Sequence, residues 1–213
     1  MFKLYWSSST GAFAPEAVLT ELDVPFSRIE VDTAKGEQLQ EAYLAINPRG
    51  QIPALVLLDG TVLTETAAML LHLADAHPQA GLAAQPGEVQ RALTYRWLFF
   101  AAANIYESDL RWEYCGRYTS EPAGEPGVRA AAAVQLDRSW DLINREVAGP
   151  YFFGRGFTVL DVYLAMLAGW HYDFGKLERS CPKVWALMQA VSRRPKIAPL
   201  WRVHYGHKPA LQW

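Results

Sequence analysis

The fold class expected from the sequence is an α/β domain followed by an all-α one, and three observations lead there. In the first eighty residues, apolar runs of strand length alternate with helical spacing in the order βαβαββα. From Pro86 onward the apolar residues recur at helical intervals only. Between the two, the segment Ala80 to Pro86, with Gly81, Pro86 and the following Gly87, reads as a boundary. The expected domains are therefore 1–80 and 87–213.

Each element of the first domain has its own signal. Phe2-Lys3-Leu4-Tyr5-Trp6 is a strand, and Ser7-Ser8-Ser9-Thr10-Gly11 is a polar turn after it. Phe13 to Leu22 is helical, with Pro15 suited to a first turn and Val18, Leu19 and Leu22 on one face. Pro25 to Val31 alternates and reads as a second strand, and Gly36 to Ala45 as a helix. Asn47-Pro48 and Arg49-Gly50 then end that helix. Ile52-Pro53 opens the buried run Ala54 to Leu58, because proline is tolerated at a strand's first residue. An X–Pro bond in such a turn is a candidate for the cis form. It would turn the amide and carbonyl of Ile52 towards the main chain of a ligand. Asp59-Gly60 is a hairpin signal, with Thr61-Val62-Leu63 the returning strand. Thr66 starts a helix through Asp75, and its N-terminal amides suit a carboxylate.

The second domain reads as a long helix from Glu88 to about Tyr118, a Pro/Gly break at 120–127, and a helix from Val128 to Val147. The core positions expected of that helix are Val134, Leu136, Trp140, Leu142, Ile143 and Val147. Thr158-Val159-Leu160-Asp161 is a capping pattern that opens an apolar helix to Trp170. Pro182 to Ser192 is a further helix, stopped near Pro195.

Bulk properties narrow the function classes. Hydrophobic content of 51% with eight tryptophans is that of a folded chain with a real core. A net charge of −2 with scattered Lys and Arg gives no footprint for nucleic acid. No run of 18 apolar residues is present to span a membrane, and the start lacks the apolar core of a signal peptide. Two cysteines, Cys115 and Cys181, form no disulfide framework, so a cytoplasmic location with both thiols reduced is expected. The five histidines show no metal-site spacing, and no metal is expected.

Taken together, the βαβαββα order, Gln51-Ile52-Pro53 before the third strand, and Glu65-Thr66 at the last helix resemble the thioredoxin-like domain of the soluble glutathione S-transferases. The resemblance extends over the chain, because the part after Pro86 is similar to that family's all-helical second domain. It implies glutathione as co-substrate, a small electrophile as acceptor (the chemistry of detoxification), and a homodimer. It also implies a site. The family places its thiol-activating side chain in the loop before the first helix, here Ser7 to Thr10, with Ser9 first in order, Thr10 second and Ser7 third. The ordinary alternative for these residues is turn and cap chemistry. Ile52, next to Pro53, would pair its main chain with the cysteinyl backbone of the tripeptide. Thr66 would bind the γ-glutamyl carboxylate and Glu65, or an acid of the partner chain, the ammonium, while Gln51 and Arg49 would reach the glycyl carboxylate. Tyr106, Trp112, Trp170 and Tyr172 are the candidates for the acceptor pocket, although aromatic stripes at helical spacing also build cores.

Departures from the family's patterns leave its classes open. Against the bacterial beta class, the cysteine position falls on Gly11 and the nearby tyrosine position on Trp6. Against the maleylacetoacetate isomerases of the zeta class, the first-turn arginine is missing, and Ala14-Pro15 stands there. The expected function is activation of the glutathione thiol for attack on an electrophile. The alternatives are a glutathione-dependent isomerase and a non-catalytic interaction protein of the same fold.

Overall fold

A computed structural model describes residues 1–154 and 156–212. Arg155 and Trp213, inside the range expected for the helical domain, lie outside the described residues. The chain divides into two compact units, Met1–Ala83 with Ser192–Trp213, and Ala84–Val191. The segment from Ser192 onward thus groups with the α/β unit, whereas the sequence placed it with the helices.

The first unit is built on a four-stranded sheet of order β2-β1-β3-β4. β1 (Phe2–Trp6) runs parallel to β2 (Phe26–Glu30), with Leu4 opposite Arg28, and antiparallel to β3 (Ala54–Val56), with Leu4 opposite Leu55. β4 (Val62–Leu63) closes the edge against β3. A parallel pair needs a crossover, and α1 (Phe13–Glu21) supplies it. Every residue of α1 from Phe13 to Leu19 is buried, including Glu16 at 1% exposure. β3 is shorter than the expected 54–58 because the hairpin begins early. Leu57 N–H reaches Thr61 O at 2.8 Å, and Asp59 Oδ1 accepts from Thr61 N–H at 2.9 Å.

The helix expected over 36–45 is broken. Two 3₁₀ turns, Thr33–Lys35 and Glu37–Leu39, precede the single helical turn α2 (Glu41–Leu44). Local chemistry explains it: the Asp32 carboxylate accepts from the amides of Ala34 and Lys35, and Gly36 then takes a left-handed φ of 73°. α3 (Thr66–Ala76) is the helix expected from Thr66.

In the helical unit, the expected 88–118 helix is one run with two irregularities. α4 (Val89–Phe100) passes into a π-helical segment, Ala101–Tyr106, and then into α5 (Glu107–Glu113). Asn104 Nδ2 donates to Phe100 O at 3.1 Å across that wide turn. Tyr114, at φ −115° and ψ 45°, ends the run four residues early. α6 (Glu125–Glu146) starts before the expected Val128, since Pro126 fits its first turn. Leu136, Trp140, Ile143 and Val147 are core as expected, but Val134 is 48% exposed and Ala132 is buried in its place. α7 (Val159–Ala168) is entirely buried and ends before Trp170. α9 (Pro182–Ser192) matches its expectation, whereas α8 (Phe174–Ser180) and α10 (Ala198–Tyr205) carry no clear sequence signal. Among the described residues, no helix is long and apolar enough to cross a membrane.

Candidate functional site

The Gln51-Ile52-Pro53 turn is fixed from behind. Tyr43 Oη and Asn47 Nδ2 both donate to Gln51 O, each at 2.7 Å. Burial pushes the Tyr43 phenol up to about 12, so it remains a neutral donor at ordinary pH. Gly50 adopts φ 61°, and a Cβ there would meet Gln38 O and Leu39 Cδ2 at 3.0 Å, so a side chain would clash as well as strain the turn. The Ile52–Pro53 bond is cis. Ile52 packs with Ala12, Val31 and Tyr43, against Tyr5 and Trp6 at the end of β1. Among the described residues, neither its amide nor its carbonyl takes part in a hydrogen bond. A main chain held this way is an edge that a peptide can pair with.

Two further elements meet this edge. The first bond of α3 runs from Met69 N–H to Glu65 O at 3.0 Å, so the amides of residues 66–68 have no helical partner. Thr66 is buried, and its hydroxyl reaches Gly11 O at 3.4 Å, which ties α3 to the turn after β1. Among the described residues, Glu65, at φ 64°, is one of three non-glycine residues with positive φ. Such a conformation is held by its surroundings and is often found at ligand clamps. Its exposed carboxylate lies 3.5 Å from Arg49 Nη1, so an acid and a base stand together beside the open helix end.

The hydroxyls of the Ser7–Thr10 turn are not equivalent. Thr10 Oγ1 donates to Ser7 O at 2.7 Å and accepts from Ala12 N–H at 3.3 Å, both within the turn. Ser8 Oγ donates to Val203 O at 3.2 Å. Ser9, half-buried at φ 59°, donates its hydroxyl to His204 O at 2.5 Å and its amide to His204 Nδ1 at 3.1 Å. Ser7 Oγ has only a 3.4 Å contact with Thr33 Oγ1, at the weak end of the hydroxyl range.

Behind the turn lies a group of residues that the sequence reading missed. Glu16 and His204 are almost wholly buried, with Glu16 Oε2 2.8 Å from His204 Nε2. The Trp6 indole N–H stands 2.6 Å from the same carboxylate oxygen, and Arg28 pairs with Glu16 Oε1. The one available signal was an acid inside the apolar stretch Ala12-Phe13-Ala14-Pro15-Glu16-Ala17-Val18. An acid so placed needs partners, but nothing local names them.

The four acceptor candidates all belong to the helical unit, where they form two pairs. Tyr106 meets Trp170 edge to face, with centroids 5.1 Å apart, and Trp112 stacks on Tyr172 at 5.5 Å. Tyr172 Oη donates to Asp137 Oδ1 at 2.7 Å, and His171 stacks on the Tyr172 ring at 4.6 Å. Trp112 also lines a cleft of about 510 Å³ with Cys115, Glu125 and Arg129. Among the described residues, no cluster of three or more His, Cys, Asp or Glu could hold a metal ion.

Known proteins resemble this chain in sequence and fold. Residues 13–76 match the glutathione S-transferase N-terminal domain family. The chain is 30% identical over 198 residues to the glutathione S-transferase GstA of Escherichia coli O157:H7, covering 92% of this chain and 94% of that one. It resembles the solved structure of a Sulfitobacter glutathione transferase homologue with bound glutathione, at 29% identity and a TM-score of 0.86, over 94% of this chain and 96% of that one. A sphingomonad glutathione S-transferase complexed with glutathione gives 29% identity and a TM-score of 0.81, over 95% and 98% of the two chains. A thioredoxin-like sheet domain followed by helices, matched along nearly its whole length, places the chain in the glutathione S-transferase family.

Proposed function

We propose that this chain binds glutathione on its α/β unit and activates the thiol for attack on a small electrophilic carbon. The observation that carries the proposal is the unused amide and carbonyl of Ile52, fixed on a turn whose neighbours bond to the start of α3. The Ile52 main chain, beside Pro53, pairs with the cysteinyl residue in a strand-like way. Thr66 and the amides after it receive the γ-glutamyl carboxylate, which the α3 dipole favours. Glu65 meets the ammonium, while Arg49 and Gln51 are proposed for the glycyl carboxylate.

A free thiol has a pKa near 8.5, so little of it is thiolate at neutral pH. Lowering that by two units needs ~2.7 kcal/mol, within reach of one or two hydrogen bonds to a charged acceptor. Ser9 is the hydroxyl we assign to this task, because its backbone is fixed through its amide and its hydroxyl already acts as a donor. A thiolate is a charged acceptor and competes well with the neutral carbonyl that now takes the Ser9 proton. Ser7 is the second reading, supported by its weakly engaged hydroxyl. The protein's remaining contribution is proximity, holding nucleophile and electrophile together. The four aromatic residues of the helical unit are proposed for the electrophile, and a homodimer in the cytoplasm is the proposed working form.

Calorimetric titration with glutathione at neutral pH tests the site. Binding in the micromolar-to-millimolar range is expected, weakened at least tenfold in Thr66→Ala, equivalent to ~1.4 kcal/mol. Absence of binding by the unaltered protein would overturn the proposal and favour a non-catalytic member of the fold.

A further inference from the structure

We propose that His204, on α10, is a positioning residue for the thiol site, on the reading that the Ser7–Thr10 turn activates glutathione. Three hydrogen bonds join that turn to α10, and two of them involve His204. Ser9 is held at a positive φ that a non-glycine residue keeps only under constraint from its surroundings. The His204 side chain supplies the restraint on the Ser9 backbone through Nδ1, while its carbonyl takes the Ser9 hydroxyl until a thiolate competes for it.

The imidazole itself has little freedom. Phe13 and Trp6 meet its ring edge to face, each with centroids 5.2 Å away, and no part of the side chain reaches solvent. Because the Ser9 amide occupies the lone pair of Nδ1, the proton sits on Nε2 and is donated to Glu16 Oε2. The Trp6 N–H then has the carboxylate as its partner, at 2.6 Å, rather than Nε2 at 3.1 Å. Arg28 closes the far side of Glu16. Trp6 adjoins Ser7, so one buried carboxylate and one imidazole hold the turn at both ends. With the Ser9 backbone already fixed, only its hydroxyl has to turn from the His204 carbonyl to a developing thiolate, and a donor so nearly ordered is worth more than one on a loose turn.

The ionisation of bound glutathione reads this directly, through thiolate absorbance against pH. His204→Gln reaches towards Glu16 but offers nothing where Nδ1 was, whereas His204→Asn places an acceptor near Nδ1. The expected result is a rise of about one unit in the bound thiol's pKa in His204→Gln, a tenfold loss of thiolate at fixed pH. Affinity for S-methylglutathione, which has no thiol to ionise, should stay within about twofold. His204→Asn should recover most of the shift, which a purely structural role would not require. An unchanged thiol pKa in a folded His204→Gln, with Ser9→Ala raising it, overturns the assignment. Where His204→Gln does not fold, Glu16→Gln carries the same test, since it disturbs the acceptor that fixes the imidazole tautomer. If neither Ser9→Ala nor Ser7→Ala moves the thiol pKa, the reading of the turn itself fails, and the role of His204 with it.

Discussion

Each unit of this chain buries a carboxylate in the first turn of a helix, and the two are satisfied in opposite ways. Asp161, fully buried in α7, accepts from Phe152 N–H at 2.6 Å, Thr158 N–H at 2.7 Å and Thr158 Oγ1 at 2.8 Å. Its partners are at most nine residues away, and the capping box is complete. Burial still pushes its carboxyl up to about 6, against the pull of those donors. Glu16, in α1, has partners 10, 12 and 188 residues distant, namely Trp6, Arg28 and His204. The first carboxylate locks a local turn. The second ties the first helix and the end of β1 to α10, and borders the turn proposed to hold the thiol. Equal burial therefore serves a local turn in one unit and long-range contacts beside the proposed site in the other.

Replacing the two acids tests that difference. Glu16→Ala leaves His204 and Trp6 without their carboxylate and is expected to cost roughly 3–5 kcal/mol, with a raised thiol pKa in the folded fraction. Asp161→Ala leaves two buried amides and a hydroxyl unpaired, and should cost roughly 2–4 kcal/mol. Thermal melts check both, at ~2–4 °C per kcal/mol for a chain of this size. The Asp161 variant should leave the bound thiol's pKa where it was. Were it to shift as far as in Glu16→Ala, the contrast between the carboxylates would be lost. Thr158→Ala removes one arm of the capping box and should cost ~1 kcal/mol.

The smallest effect concerns the buried histidines, which differ in the same manner. His204 contacts the buried acid of its unit, whereas His171 accepts only a local bond, from Asp173 N–H at 3.0 Å, and burial pushes its pKa down. As pH falls through the ordinary histidine range, the unfolded chain takes up a proton that folded His171 resists, so this group's stabilisation declines. The melting temperature of the protein relative to His171→Gln should therefore be higher at about pH 7.5 than at about pH 5.5. An equal or reversed difference would show that His171 titrates as if exposed.

The same contrast explains what the sequence disclosed. Thr158 with Asp161, Asp59-Gly60, and Gln51-Ile52-Pro53 with Glu65-Thr66 are read within a few residues, because short-range geometry dictates their chemistry. The helix boundaries at 33–45 and 101–106 were missed. Capping by Asp32 and the left-handed Gly36 override a weak helical pattern in the first, while a π turn leaves apolar spacing nearly unchanged in the second. The commitments of Ser9 were not legible at all. They depend on a histidine 195 residues further along, and no local pattern records which distant residue will close over a turn.

Because the α/β unit takes its final segment from residues 192 onward, its assembly has a timetable. Translation delivers Ser9 195 residues before His204. At about 5–20 residues per second, roughly ten to forty seconds separate them. During that interval Glu16 has no imidazole beside it and the turn has no clasp, so the nascent sheet can form before the Ser7–Thr10 turn is fixed. The clasp on the Ser7–Thr10 turn is thus set only after residues 84–191 of the helical unit have been synthesised.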